Sequence, residues 1–277
     1  MTNDDARPQI LLTNDDGIRS PGLWAAAEAL SAVGFVTVAA PREQSSGAGR
    51  SMPPASDGVI REEQVSVGGK TWTVYAIGGT PAQTVQHAML ELMPRRPDLV
   101  VAGINYGENI GSGVTVSGTV GAALEGAAWG VPALAVSLET DAAYHLSHSD
   151  EVDFAAAAHF ARLFARLLLG APLPPDVDVL KVDVPCDATA DTPWRMTRLS
   201  RAKYFVPLAP ARERFDQPAR VGYTVDPRAG DDDAGGDVHA LQVERVVAVT
   251  PLSLDLTSRV DLAAYEQRLR NGAGRGG

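Results

Sequence analysis

Apolar and polar positions come in alternating blocks through the first two thirds of this chain. Residues 10–13, 35–39, 99–102, 133–137 and 179–184 are short apolar runs of strand type. Longer stretches with helical spacing separate them, and predict helices over 21–33, 80–92, 117–129 and 154–169. The helix ends carry the expected punctuation: Pro21 near the first start with Gly34 as its stop, Thr80 before Pro81, and Ser117 or Thr119 as the third cap. Residues 59–67 and 71–77 flank Gly68-Gly69 and read as a β-hairpin. Strands alternating with helices of this length predict βαβ units, hence an α/β fold with a doubly wound, mostly parallel sheet.

The pattern changes near residue 186. Segments 194–199, 221–225 and 241–249 are β-type and lie among Pro, Gly and Asp loops. Residues 1–186 therefore read as an α/β domain and 187–265 as a β-rich extension. Residues 266–277 read as a disordered tail. Strands 221–225 and 241–249 are candidates for exchange between subunits, since exposed edges invite pairing.

Composition narrows the function classes. The 277 residues carry a net charge of −10, which argues against a basic nucleic-acid surface. Cys186 is the single cysteine, so no intrachain disulfide is expected, and a lone cysteine reads as a small buried hydrophobe. No apolar run approaches the ~18 residues of a membrane span, and residues 1–8 carry no apolar signal core. A cytoplasmic, non-membrane protein is expected.

The candidate chemistry gathers at strand ends. Asn14-Asp15-Asp16-Gly17 follows the first strand, Ser45-Ser46-Gly47 the second, and Asn105 with Asn109 the strand 99–102. In a doubly wound sheet these loops open on one edge. Two carboxylates, a hydroxyl and an amide oxygen are all hard donors and suit Mg²⁺, Mn²⁺ or Ca²⁺. Asn-Asp-Asp-Gly is also good turn chemistry. Gly111, Gly113, Gly118 and Gly121 let backbone N–H groups approach an anion, and Ser117-Gly118-Thr119 opens a helix whose N-terminus favours phosphate. Neither a P-loop nor a Gly-x-Gly-x-x-Gly after the first strand is present.

Several ordered motifs resemble one family. They are Thr13-Asn14-Asp15-Asp16-Gly17, the Pro41…Ser46-Gly47 spacing, Gly79-Thr80-Pro81, Gly103-Ile104-Asn105-x-Gly107-x-Asn109 and Ser117-Gly118-Thr119-Val120. Together with Glu125-Gly126, Val184-Pro185 and Val249-Thr250-Pro251-Leu252…Asp255, they closely resemble the SurE (survival protein E) metal-dependent 5'-nucleotidases, to about residue 260. The resemblance implies a Rossmann-like domain whose C-terminal extension builds homodimers or homotetramers. It implies one divalent metal per subunit, Mg or Mn, held by Asp15, Asp16, Ser46 and Asn105. It implies Asn109, Ser117, Gly118 and Thr119 on the substrate phosphate, and Asp15 and Asp16 as the catalytic carboxylates. The expected reaction is hydrolysis of nucleoside 5'-monophosphates. The rivals are a broader phosphatase that includes 3'-nucleotides and short polyphosphate, and a non-catalytic nucleotide-binding oligomer.

The chain departs from the family pattern twice. It has Gln83-Thr84 where Asp-Cys is usual, and Asp183 where Asn is frequent. The first puts nucleotide preference in question. Among the remaining residues, His87, Trp129 and Trp194 read as packing or surface positions. His145, His148 and His239 are candidates to reach the site, Arg19 reads as a solvated loop residue with phosphate contact as the alternative, and Glu125, in the helix behind the phosphate loop, either lines the site or bonds a neighbouring loop.

Overall fold

A computed structural model describes residues 7–145, 149, 151–226 and 228–273. Its strands are β1 (Gln9–Thr13), β2 (Phe35–Pro41), β3 (Ile60–Val67), β4 (Lys70–Ile77), β5 (Leu99–Tyr106), β6 (Ala133–Leu138), β7 (Val179–Val184), β8 (Trp194–Met196), β9 (Phe205–Leu208), β10 (Gly222–Val225) and β11 (Val247–Leu252). The helices are α1 (Pro21–Leu30), α2 (Pro81–His87), α3 (Gly118–Ala128), α4 (Ala155–Gly170), α5 (Asp237–Gln242) and α6 (Leu262–Ala273).

Nine strands form one sheet in the order β3-β4-β2-β1-β5-β6-β7-β11-β8. The six central strands from β4 to β7 run parallel, and β3 and β11 are antiparallel to their neighbours β4 and β7. Every residue of β1, β5, β6 and β7 is buried, as a strand covered on both faces must be. Alternation then divides β1 between two cores. Ile10 and Leu12 face a layer with Leu23, Trp24, Phe160 and Phe164 from α1 and α4. Leu11 faces the opposite layer with Val85, Val120 and Ala123 from α2 and α3.

The predicted punctuation is present. Pro21 opens α1. Thr80 and Gln83 form a reciprocal capping box on α2. Ser117, rather than Thr119, caps α3 by accepting from the Val120 N–H at 3.1 Å.

Four expectations are corrected. Residues 241–249 are not one strand: α5 covers the first part, because Val238 and Leu241 lie one turn apart and bury the same face, and β11 follows. The sheet has no break at residue 186, since β11 lies between β7 and β8. It is therefore an interior strand rather than a free edge. Residues 266–273, expected to be disordered, continue α6, where Asp261 accepts from the Ala264 N–H at 3.0 Å and the sequence is rich in good helix formers. Cys186 is exposed rather than buried, because it lies one residue beyond Pro185, outside the sheet. Among the described residues no helix is long and apolar enough to cross a membrane.

Candidate active site

The strand order fixes where a ligand can sit. From β1 the chain goes to β2 and β4 on one side, then returns to place β5 on the other side of β1. Helices α1 and α2 lie on opposite faces of the sheet. The loops beyond β1 and β5 diverge there, and the crevice outside their carboxyl ends is the ligand position of this architecture. Asp15 and Asp16 leave β1 at that point, and Asn105 belongs to the end of β5.

Turn chemistry and site chemistry are divided among neighbours. The Asn14 side chain makes the turn, with its amide bridging the N–H and C=O of Gly17, each at 3.1 Å. This leaves Asp15 and Asp16 for other partners. Asp15 Oδ1 accepts from the Thr119 hydroxyl at 2.5 Å, and the backbone N–H groups of Thr119 and Gly118 also reach its carboxylate. A Cβ on Gly118 would lie 2.7 Å from Asp15 Cβ, so only glycine lets the start of α3 close on this side chain. Asp16 accepts from the Tyr106 N–H at 3.2 Å and the Gln44 amide at 3.1 Å.

These donors are neutral and do not cancel the charge. Burial raises the Asp15 carboxyl above its usual range, against the Thr119 and Gly118 donors. Burial, with the Asp15 charge second, pushes Asp16 up to about 8. Two adjacent carboxylates in low dielectric resist joint ionisation, and a hard cation would restore both charges. Asn105 adds an oxygen. Its amide NH₂ is committed to the carbonyls of Tyr106 and Gly107, at 3.1 and 2.7 Å, which leaves Oδ1 as the end for a ligand. Ser46 is exposed at the tip of the loop after β2. That loop is anchored on both sides of it, by Ser45 N–H on the Asp15 carbonyl at 2.7 Å and Gly49 N–H on the Val116 carbonyl at 3.0 Å. The donor set therefore fits a hard divalent ion.

The phosphate candidates share the same edge. Asn109 is half-buried and donates to Ser137 Oγ at 2.8 Å. Ser117, Gly118 and Thr119 form the start of α3, where the anion already facing the helix is Asp15 itself. The loop between Gly107 and Gly111 rests on a buried ionic cluster. Asp183 accepts from Asn109 N–H at 2.8 Å, and Asp237 from Gly111 N–H at 3.1 Å. Lys181 lies between the two carboxylates and bonds both, at 3.1 Å to Asp237. All three are fully buried. Burial works against the Lys181 charge, but the two carboxylates keep its affinity for the proton raised. Asp183 is thus a charge answered from within the same strand.

Glu108 is buried beside this cluster and bonds the Tyr204 hydroxyl, and burial pushes it up to about 7. Glu125 holds the loop after β2, through Arg50 at 2.8 Å, and also takes bonds from Gln86 at 3.1 Å and Trp129 at 3.3 Å. Gln83 caps α2 and ties the same loop at Ser56 Oγ and the Pro53 carbonyl, at 2.6 and 2.9 Å.

The backbone carbonyl of His145 accepts from Gln44 at 2.8 Å. His87 pairs with Glu91 and His239 bonds the Gly230 carbonyl. Arg19 is exposed, and His148 lies outside the described residues. Sequence reasoning missed Gln44, Glu108, Lys181, Tyr204 and Asp237. A lysine within the apolar run 179–184 was the available signal, since a charge in a fully covered strand requires a partner. A second acidic group, Glu139, Asp187 and Cys186, has metal-like proximity. Arg245 already fills it, bonding both carboxylates at 2.6 Å and Sγ at 3.4 Å.

An oxygen-donor acidic site at the switch point of a doubly wound sheet defines the class: a Rossmann-like α/β protein with a buried pair of carboxylates at its ligand crevice. Comparison with known proteins narrows it. The family model described as Survival protein SurE matches residues 10–206, and the chain belongs to that family. It is 44% identical over 264 residues to a 5'-nucleotidase SurE of Thermococcus gammatolerans, covering 95% of each. It is 38% identical to a 5'-nucleotidase SurE of Methanosarcina mazei, covering 95% of this chain and 98% of the relative. The crystal structure of a SurE protein from Aquifex aeolicus is similar with a TM-score of 0.73 and 27% identity, covering 95% of this chain and 100% of that one.

Proposed function

We propose that this chain is a divalent-metal-dependent phosphomonoesterase that hydrolyses nucleoside 5'-monophosphates to nucleoside and phosphate. The carrying observation is the buried pair Asp15 and Asp16, raised in proton affinity and met by neutral donors, at the switch point of the sheet. Asp15, Asp16, Ser46 and Asn105 hold the ion, with Mg or Mn suiting the all-oxygen set. An ion held by these residues would neutralise charge on the phosphate in the transition state.

The remaining work belongs to the chain. Asp15 is the catalytic carboxylate, either orienting water or attacking phosphorus, and Thr119 and Gly118 fix its direction from the start of α3. Asp16 is held by Gln44 and Tyr106. Asn109 and Ser117, with the N–H groups of Gly118 and Thr119, face the phosphate. The pinned loops give the rigidity that such positioning requires. The enzyme works as a homodimer or homotetramer. Leu262, Tyr265 and Leu269 support this, as an exposed stripe along one side of α6.

Phosphate release from AMP, 3'-AMP and short polyphosphate, with Mg²⁺ or Mn²⁺ and with EDTA, tests the reading. Metal-dependent release that favours AMP is expected. Equal turnover of all three would replace it with a broad phosphatase, and no release from folded protein with a binding module.

A further inference from the structure

Beside the candidate metal centre stands a flat aromatic surface that the hydrolytic reading does not use. His145 Nδ1 lies 2.7 Å from the Tyr223 hydroxyl. The two ring centroids are 6.3 Å apart and their planes differ by 22°. A phenol oxygen within hydrogen-bond reach of an imidazole nitrogen, at that centroid distance, places the rings end to end rather than one above the other. Nε2 of the same ring lies 3.3 Å from the Thr140 carbonyl, and burial lowers the proton affinity of the imidazole. A six-membered and a five-membered ring thus lie nearly in one plane.

The platform is bedded on the loop that carries the site. A Cβ on Gly107, where φ is +93°, would lie 2.6–2.9 Å from three imidazole atoms, so the bare backbone of Gly107 supports one face of His145. Phe205 meets Tyr223 edge to face at 87°, and Phe205 itself rests on Gly113, where an added Cβ would be 3.2 Å from its ring. Tyr223 remains 46% exposed. The link to the centre is short: the Gly107 carbonyl accepts from Asn105, and Gln44 bridges the His145 carbonyl to Asp16.

We propose that the joined rings of His145 and Tyr223 are the stacking surface for the base of the substrate. This rests on the nucleotide-hydrolase reading. It assigns the β9–β10 hairpin a part in substrate choice. Aromatic stacking tolerates any base but grows with overlap, and a purine offers a larger face than a pyrimidine.

The test compares AMP, CMP and ribose 5-phosphate on the full chain and on Tyr223→Ala, Tyr223→Phe and Tyr223→Trp. Dissociation constants are measured in EDTA, and phosphate release is measured in parallel with Mn²⁺. In the unmodified chain AMP is expected to bind about tenfold tighter than ribose 5-phosphate, with CMP between them. Tyr223→Ala should raise Kd and KM for AMP about tenfold, with kcat and all ribose 5-phosphate values unchanged. Tyr223→Phe and Tyr223→Trp should stay within threefold of the parent. Equal binding of AMP and ribose 5-phosphate by the unmodified chain would overturn the platform. So would a Tyr223→Ala loss shared equally by both ligands, which is the mark of a packing role. The two readings fail separately. Base-dependent binding without phosphate release would remove the hydrolase and keep the platform. Release without base preference would do the reverse.

Discussion

Two buried acidic clusters sit on neighbouring parts of this sheet, and they differ in what answers their charge, although burial raises Asp183 as it raises Asp15 and Asp16. At the end of β1, Asp15 and Asp16 are met by hydroxyl, amide and backbone N–H donors, and burial raises both. Around β7, Asp183 and Asp237 close on Lys181, and their spare lone pairs take the N–H groups of Asn109, Gly111, Ser200 and Val238. Both pairs are equally buried. The second carries its own counter-charge and shapes a loop. The first is met by neutral donors alone. Burial of an acid is therefore a poor guide to function, and the identity of its neutralising partner is a good one.

The sharpest way to break this contrast is to neutralise one acid in each cluster. Asp15→Asn should lower metal-dependent phosphate release by about 10³-fold or more, because the group is held for chemistry. The metal-free variant should melt no lower than the parent, since a costly buried charge has been removed. The rise in Tm on adding Mn²⁺, a linkage effect of binding to the folded state, should shrink in parallel. Activity retained within tenfold would mean that the pair is structural.

In the other cluster, Lys181→Met should cost about 3–5 kcal/mol of stability by leaving two buried carboxylates unanswered. Adding Asp183→Asn should recover part of that. Urea denaturation of the single and double variants measures it, and a single-variant loss below about 1 kcal/mol would show that Lys181 does not carry the cluster.

One side of this contrast was readable in the chain, for reasons that are local. Asp15 and Asp16 stand at the end of an apolar run, and strand ends are where such folds bind ligands. Pro21, Thr80 and Ser117 mark helix starts through backbone geometry alone. What stayed hidden depends on tertiary pairing. Asp237 is 56 residues from Lys181, and nothing in the β-like pattern of 241–249 reveals that Val238 and Leu241 share a helical face. Likewise, His145 and Tyr223 lie 78 residues apart, and only the fold brings their rings into line.

Glu108 sharpens the comparison through pH, because among the described residues no cation pairs with it. Its folded value of about 7 lies above the ordinary 4.5. Between those values the native state holds more protons than the unfolded chain, so stability falls as pH rises through that window. Glu108→Gln imitates the protonated acid and removes the loss. The variant should be more stable than the parent at pH 8, by up to about 3 kcal/mol, with the gap closing below about pH 4.5. Denaturation midpoints at pH 4.5, 6 and 8 give the answer, and a gap independent of pH would show that Glu108 does not titrate in this way.

The smallest expected effect comes from the third acidic cluster, and its smallness is the point. Glu139, Asp187 and Cys186 are close enough to suggest an ion site, as Asp15 and Asp16 are. Here the guanidinium of Arg245 already occupies the centre. Burial alone would raise Glu139, yet Arg245 holds it below the usual carboxylate range, the opposite of the Asp16 shift. A cation would have to displace an arginine that keeps its charge at every accessible pH. Cys186→Ser and Asp187→Asn should therefore leave the Mn²⁺-induced rise in Tm, and the Mn²⁺ dependence of phosphate release, within error of the parent. If either variant weakened the response to metal, the rule that an internally answered charge is not an ion site would fail for this protein.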